Sequence, residues 1–332
     1  MSRRPPLPAG FGVIWSAVAI DLVGFGIVLP ILPLYAERFG ASPTTIGLLV
    51  ASFSAAQFVC APFLGRLSDR IGRKPVLVLS LAGTAVGSLL TALAPCLAVL
   101  FVARVLDGIS GASVSVAQAA VTDLAPEKQR ARLLGLLSAA FGVGFVAGPA
   151  LGGLSALGGV RLPFFVAALI AGGNALVATR RLPETHPRLA GDDVVPSAIG
   201  RRARIPQPAY LVVVAFTSVT AFAAFEATFA LLGHRRLGFT VGSAGAVFAV
   251  AGLVVALTSA SLVHPVVDRL GDLRALRLGL ILNGAGLAAL AIAYSWWLLV
   301  PALAVLAAGQ GLITPTLAAA VAARTGRSGR GA

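Results

Sequence analysis

GRLSDRIGRK, residues 65–74, separates two long apolar runs at residues 46–64 and 75–93. Half of these ten residues carry a formal charge, whereas neither flanking run contains a charged residue. The core of a soluble domain is not interrupted in this way. A tight basic turn is instead typical of the cytoplasmic connection between two membrane-spanning helices. The stretch therefore predicts two spans that are joined on the cytoplasmic side.

The composition of the whole chain favours the same class of protein. Of its 332 residues, 58% are apolar and 11% are charged, whereas soluble domains carry about 25% charged residues. We predict an all-α polytopic membrane protein with about ten transmembrane helices, because ten apolar runs are each long enough to cross ~30 Å of hydrocarbon. These runs are residues 11–35, 46–64, 75–93, 97–120, 133–157, 162–179, 209–232, 241–263, 275–294 and 296–320.

The net charge is +14, and the distribution of the basic residues along the chain agrees with the predicted topology. If the N-terminus is cytoplasmic, twenty-one of the 26 Lys and Arg residues lie on the cytoplasmic side. Four lie outside, namely Arg38, Arg161, Arg235 and Arg236, and Arg104 lies within a span. Basic residues concentrate in cytoplasmic loops of membrane proteins. The charge therefore indicates a multi-pass protein of the cell membrane with both termini cytoplasmic, and nucleic acid is not an expected partner.

A polar, Pro- and Arg-rich segment, residues 180–208, separates six apolar runs from four. We interpret residues 1–179 as an N-terminal six-helix bundle, residues 180–208 as a cytoplasmic linker and residues 209–332 as a C-terminal bundle. Six spans in the first half predict six in the second, so the second half lacks two helices by this comparison. Whether the chain is truncated or is a ten-helix variant stays open at this point.

Two short motifs recur in the same order in both halves. Arg38-Phe39-Gly40 recurs as Arg236-Leu237-Gly238, at an offset of 198 residues. Asp69-Arg70-Ile71-Gly72 recurs as Asp268-Arg269-Leu270-Gly271, at an offset of 199 residues. Matching offsets at matching topological positions predict that the two halves arose by duplication.

Three patterns carry a resemblance to a known family. The first is G-x-x-x-D-R-x-G-R-[KR], which is matched by Gly65, Asp69, Arg70, Gly72, Arg73 and Lys74. The second is R-x-x-x-G-x-x-G-A, which begins at Arg104. The third is G-x-x-x-G-P-x-x-G-G, which is matched by Gly144, Gly148, Pro149, Gly152 and Gly153. Together with residues 21–33 and the ending Leu182-Pro183-Glu184-Thr185, they resemble the major facilitator superfamily, in its tetracycline-resistance-type drug/proton antiporter branch.

The resemblance implies a secondary active transporter and not an enzyme. Its fold would be the major facilitator fold, here with a six-helix N-terminal half and an incomplete four-helix C-terminal half. It implies proton-coupled efflux of small apolar or amphipathic compounds by alternating access, in a monomer that uses the proton gradient and no cofactor. The sequence contains no metal-binding or nucleotide-binding motif. Two alternatives stay open, a truncated or degenerate transporter without activity and a proton symporter for a nutrient, although the third pattern favours antiport.

Four charged residues lie well inside the apolar runs, more than one helical turn from either end, namely Asp21, Arg104, Asp107 and Glu226. Charges in hydrocarbon are costly, so such residues normally face an internal cavity and each other. Arg104 and Asp107 are three residues apart on one helix face, so they either neutralise each other or take part in coupling. Asp21 is a candidate proton acceptor, and a gating hydrogen bond is the competing role. Glu226 is a candidate for contact with substrate or proton, or with a group on the external side.

A cytoplasmic charge cluster is expected from Asp69, Arg70 and Arg73. Asp123 lies at the same end of the fourth span and is expected to pair with Arg73. The resemblance implies that this cluster gates transport by latching the two halves in the outward-open state. In the third pattern, small residues four apart allow two helix backbones to approach closely, and Pro149 removes one backbone hydrogen bond and bends the helix.

Overall fold

The computed structural model describes residues 6–126, 129–186 and 209–325. Most of the predicted linker, residues 187–208, lies outside this part of the chain. So do nine of the basic residues predicted to be cytoplasmic, namely Arg3, Arg4, Lys128, Arg188, Arg201, Arg202, Arg204, Arg327 and Arg330.

All regular structure in the described residues is helical. The helices are α1 (Phe11–Val28), α2 (Leu32–Glu37), α3 (Pro43–Ile71), α4 (Arg73–Leu93), α5 (Leu97–Ser110), α6 (Ser113–Leu124), α7 (Arg130–Ser155), α8 (Leu162–Arg181), α9 (Ala209–Leu237), α10 (Val241–Ser261), α11 (Val263–Leu270), α12 (Asp272–Ala291) and α13 (Trp296–Thr325). Within the described ranges, ten helical segments are long and apolar enough to span a membrane. The prediction of an all-α protein with ten spans is therefore confirmed.

The connection between the second and third spans is shorter than the sequence suggested. The expected turn covered residues 65–74, but α3 continues through the charged residues to Ile71 and α4 begins at Arg73. Gly72 alone forms the turn, with φ +106° and ψ 161°. A residue with a Cβ is strained at such a positive φ, which glycine adopts freely. The charged residues therefore extend the helix beyond its apolar part instead of ending it.

The recurring motifs share local geometry as well as sequence. Gly40 and Gly238, which end the first pair of motifs, have φ values of +72° and +66°. Gly72 and Gly271, which end the second pair, have ψ values of 161° and 160°, and each separates two helices. Similar backbone conformations at corresponding positions support the interpretation that the halves are related.

The described residues fall into two compact units. Unit 1 contains those of Met1–Val194 together with Val241–Ala246, and unit 2 contains those of Val195–Thr240 and Val247–Ala332. The start of α10 therefore groups with unit 1, although the sequence-based division placed it in the C-terminal bundle. In unit 1, α1 packs on α7 and α8, α4 packs on α5 and α8, and α3 packs on α5. In unit 2, α12 packs on α13.

The core of unit 1 is built from α1, α4, α6, α7 and α8. It contains fully or almost fully buried apolar side chains such as Val18, Leu81, Val121, Leu137 and Ala178. On the other faces of the helices, large apolar side chains are exposed. Apolar surface of this extent is expected of helices that face lipid, because hydrocarbon and not water surrounds them.

Candidate functional site

A cavity of about 700 Å³ lies within unit 1. Its wall is formed by α1, α3, α4, α5, α6 and α7 and is mostly apolar. A few polar side chains interrupt the apolar wall, which is the usual composition of a small-molecule site. The lining residues include Asp21, Phe53, Gln57, Asp107, Gly111 and Ser113.

The fourth span is broken where it lines this cavity. α5 ends at Ser110 and α6 begins at Ser113, so Gly111 and Ala112 are non-helical. The side-chain Nε2 of Gln57 donates a hydrogen bond of 2.5 Å to the carbonyl oxygen of Gly111. Irregular backbone at membrane depth is tolerated where it lines a cavity and its polar groups are satisfied. Gln57 supplies that partner here.

The carboxylate of Asp21 is bonded at one oxygen only. Its Oδ2 accepts a hydrogen bond of 2.5 Å from the hydroxyl of Ser113, the first residue of α6. Its Oδ1 is buried and makes no hydrogen bond within the described part of the chain. Asp21 therefore presents one fixed oxygen and one that is available to a proton or a ligand.

Arg104 and Asp107 form a buried ion pair on α5. Arg104 Nη2 lies 2.6 Å from Asp107 Oδ2, and the two side chains are 3% and 7% exposed. The guanidinium also lies over the ring of Phe53, 5.7 Å from its centroid, which allows a cation–π interaction. The mutual neutralisation considered from the sequence is thus present, and Asp107 lines the cavity at the same time.

Glu226 belongs to α9 of unit 2, whereas Asp21, Arg104 and Asp107 all belong to unit 1. Its Oε1 is buried and makes no hydrogen bond to any described residue. Three of the four intramembrane ionisable residues are therefore brought together in one unit, and the fourth is placed in the other.

The sequence reasoning did not identify Gln57 or Ser113. Both are uncharged residues within long apolar runs, and neither has a partner at helical spacing. The only available signal was their polarity in an apolar segment. A charge is more costly in hydrocarbon than an amide or a hydroxyl, so a charged residue in an apolar run is the stronger indication of a functional site.

The charged residues of the 65–74 stretch converge on Arg73. Its Nη1 lies 2.6 Å from Asp69 Oδ1, and its Nε lies 2.8 Å from Asp123 Oδ2. The expected contact of Asp123 with Arg73 is therefore present and joins the start of α4 to the end of α6. Arg70 and Gly65 belong to the exposed or half-exposed surface of α3.

Glu184, just beyond α8, caps the N-terminus of α4. Its Oε1 accepts from the backbone N–H of Arg73 at 2.9 Å, and its Oε2 accepts from that of Lys74 at 3.2 Å. The backbone N–H groups of Thr185 and His186 also donate to Oε1. Burial alone would raise the pKa of Glu184, but these four donors outweigh it and lower that pKa below its ordinary value of 4.5.

We expect Glu184→Gln to lower the stability of the protein at neutral pH by about 1 kcal/mol, the usual cost of losing an N-terminal helix cap. Because the folded pKa of Glu184 is lowered, its stabilisation is fully present above the unfolded value of 4.5 and is lost as the pH falls through the folded pKa. Thermal unfolding in detergent should therefore separate wild type and variant at pH 7, and the difference should shrink on acidification. A difference that does not change with pH would contradict this assignment.

The glycine pattern of α7 packs against α1. A Cβ built on Gly148 would lie 2.6 Å from the Cα of Gly26, and one on Gly144 would lie 2.7 Å from the Cβ of Leu22. One turn further, Gly153 lies against the backbone of Gly245, which belongs to the same unit. Pro149 lies inside the helix between these contacts. The small residues therefore allow backbone-to-backbone contact, as the sequence pattern predicted.

We expect Gly148→Ala to destabilise the protein by about 1–3 kcal/mol, because the added methyl group meets backbone atoms of α1 that cannot rotate away. Gly142→Ala is the matched control, since nothing lies within 4 Å of the Cβ that would be added on the same helix. Thermal unfolding of the two purified variants tests this directly. Equal melting temperatures would show that the contact between α1 and α7 is not tight.

Comparisons with known proteins agree with this architecture. The family model of the Major Facilitator Superfamily matches residues 14–332. The class E tetracycline resistance protein of Escherichia coli is 34% identical over 324 residues, which cover 95% of this chain and 80% of that protein. Multidrug resistance protein 2 of Bacillus subtilis is 31% identical over 298 residues, which cover 87% and 74% respectively.

A solved structure is also similar. The human organic anion transporter MFSD10 (TETRAN) is 26% identical, with a TM-score of 0.69, over 96% of this chain and 86% of that one. The family match extends over nearly the whole chain, and the described residues contain ten apolar helices long enough to span a membrane, so this is a multi-pass membrane transporter and not an enzyme. The chain belongs to the Major Facilitator Superfamily.

Proposed function

We propose that this protein exports small, largely apolar or amphipathic compounds in exchange for protons, by alternating access of a central cavity. The observation that carries the proposal is Asp21, a buried carboxylate with one unbonded oxygen in the mostly apolar wall of a cavity of about 700 Å³. An apolar wall suits the body of such a compound. A lone carboxylate suits a proton that must be loaded and released in each cycle.

Asp21 has the properties that proton exchange requires. An unpaired charge that is closed off from water is costly, so the carboxylate favours protonation when the cavity is closed. When the cavity opens to water, the charged form is hydrated again and the proton can leave. The hydrogen bond from Ser113 orients the group in this structure. Asp21 is therefore the proposed proton carrier.

The other intramembrane charges have supporting roles in this proposal. The Arg104–Asp107 pair keeps a positive group close to the cavity wall without adding net charge to it. Asp107 can exchange Arg104 for a cationic substrate group or a proton, so the pair belongs to the coupling machinery. Glu226, which belongs to unit 2, is proposed as a further contact for a proton or for substrate.

The cytoplasmic cluster is proposed to gate transport. Arg73 holds Asp69 and Asp123 together and so fixes the turn between α3 and α4 to the end of α6. Gly72 permits the turn, and Gly65, Arg70 and Lys74 complete the motif around it. The glycines of α7 and Pro149 provide a bendable helix in close contact with α1. We place the protein in the cell membrane, as a monomer with both termini cytoplasmic.

The names of the relatives favour export of drug-like compounds. One is called a tetracycline resistance protein and another a multidrug resistance protein. Resistance to a compound that acts inside a cell is served by export and not by uptake. The same direction of transport is proposed for this chain.

Transport by the purified full chain in proteoliposomes tests the proposal. Tetracycline and tetraphenylphosphonium serve as probes, and the lumen is made acidic relative to the medium. We expect either probe to accumulate in the lumen and protons to leave it, and nigericin, which dissipates the pH gradient, should stop both. Movement of probe and protons in the same direction would instead identify a symporter.

A further inference from the structure

We propose that Gln57 is a positioning residue that couples occupancy of the cavity to Asp21 through the break in the fourth span. The inference rests on the proposed function, because it explains how binding of a compound in the cavity affects the protonation of Asp21.

Two hydrogen bonds lie on either side of the break. Before it, Gln57 Nε2 donates to the Gly111 carbonyl at 2.5 Å. After it, the Ser113 hydroxyl donates to Asp21 Oδ2 at 2.5 Å. The two bonded residues of the fourth span are separated only by Ala112, so their Cα atoms are linked by two peptide units of ~3.8 Å each. A rotation of the chain at one bond is therefore transmitted to the other.

The regular helical ladder does not hold the break in place. Gly111 N–H donates to Gly108 O and Ala112 N–H donates to Ser110 O, which are turn-like bonds. The ladder resumes where Val116 N–H donates to Ala112 O at 3.0 Å. The orientation of the intervening carbonyl is set by a side chain from another helix, α3. Loss of that side-chain bond would free the break to relax.

The fit between Gln57 and Gly111 is close. A Cβ added to Gly111 would lie 2.7 Å from Gln57 Nε2, so glycine leaves the space that the amide occupies. Both residues also line the cavity. A compound in the cavity therefore lies beside this bond and determines how much water reaches it.

The coupling follows from competition with water. In a hydrated, empty cavity, water competes for the amide of Gln57, the break relaxes and Ser113 can leave Asp21. A largely apolar compound excludes that water and preserves the bond, because a hydrogen bond is stronger in a drier environment. Ser113 then stays on Asp21 and stabilises its carboxylate. Exclusion of water by itself would favour the protonated acid, so the bond from Gln57 favours release of the proton by keeping Ser113 in place, which is the sign that antiport requires.

Other charges near Asp21 do not provide this link. Asp107 lines the same cavity and is paired with Arg104 on α5. The remaining charged residues of the helices packed on α1 lie at helix ends, namely Asp123 of α6, Arg130 and Arg132 of α7, and Arg180 and Arg181 of α8. The Ser113 hydrogen bond is therefore the contact through which the break acts on Asp21.

The test measures protons released for each tetraphenylphosphonium ion bound by the purified full chain in weakly buffered detergent. This probe has no titratable group, so every released proton comes from the protein. In Gln57→Leu we expect release for each bound ion to fall, because loss of one net hydrogen bond changes the equilibrium between protonated and ionised Asp21 roughly 2- to 12-fold. Gly111→Ala should produce the same loss from the other partner.

Gln118→Leu is the matched control, because this amide lines the same cavity from α6, beyond the break. It should weaken binding of the probe without changing the protons released for each ion bound. Thermal unfolding identifies any variant that has merely lost its fold. Because Gln57→Leu and Gly111→Ala change the same bond from opposite sides, one of them can still be measured if the other does not fold. Equal release from wild type, Gln57→Leu and Gly111→Ala would overturn the inference alone. A wild type that binds no probe or releases no protons would overturn the inference together with the proposed function.

Discussion

Asp21→Asn is expected to abolish proton-driven export, down to the level of liposomes without protein. The asparagine side chain has nearly the same shape, and its carbonyl oxygen can still accept the hydrogen bond from Ser113. It cannot take up or release a proton near neutral pH. The variant should therefore insert and fold normally, while accumulation of tetracycline driven by a pH gradient disappears.

Exchange of internal for external tetracycline provides the control for this prediction. Such exchange needs no net proton movement, so Asp21→Asn should still perform it if the cavity remains intact. Loss of both activities would indicate a structural role for Asp21. Normal proton-driven export by the variant would contradict its assignment and make Glu226→Gln and Asp107→Asn the next variants to measure.

Arg104→Met is expected to cause the largest loss of stability. Arg104 and Asp107 are almost fully buried and 2.6 Å apart, so removing the arginine leaves a buried carboxylate without its counter-charge. Breaking a buried pair in this way costs about 3–5 kcal/mol. A strong decrease in the melting temperature of the purified protein should accompany loss of transport.

The double variant Arg104→Met with Asp107→Leu distinguishes stability from coupling. Removing both charges eliminates the unpaired group, so much of the lost stability should return. Proton-driven export should remain impaired if the pair belongs to the coupling machinery. Recovery of both stability and export in the double variant would show that the pair is structural only.

Contacts between residues close in sequence were the predictable part of the site. Arg104 and Asp107 are three residues apart on one helix, so helical geometry alone places them together. Asp69 and Arg73 are only four residues apart, on either side of the turn at Gly72, so a tight turn keeps them close. Asp123 was also predictable, although it lies 50 residues from Arg73. Topology requires the second-to-third-span turn and the end of the fourth span to be on the same side of the membrane.

The contacts that the sequence did not reveal join more distant segments. The partners are 54 residues apart for Gln57 and Gly111, 92 for Asp21 and Ser113, and 111 for Arg73 and Glu184. Each depends on the rotation of one helix against another, which hydropathy does not specify. The broken fourth span was likewise hidden, because residues 97–120 read as one continuous apolar run.

The one-residue turn at Gly72 joins α3 and α4 directly. α3 has 29 residues and is therefore about 44 Å long at ~1.5 Å per residue, which exceeds the ~30 Å hydrocarbon layer. A helix longer than the layer either extends beyond it or crosses it at a tilt. With one residue between the two helices, the connection has little slack. A tilt of α3 would therefore also change the position of the start of α4.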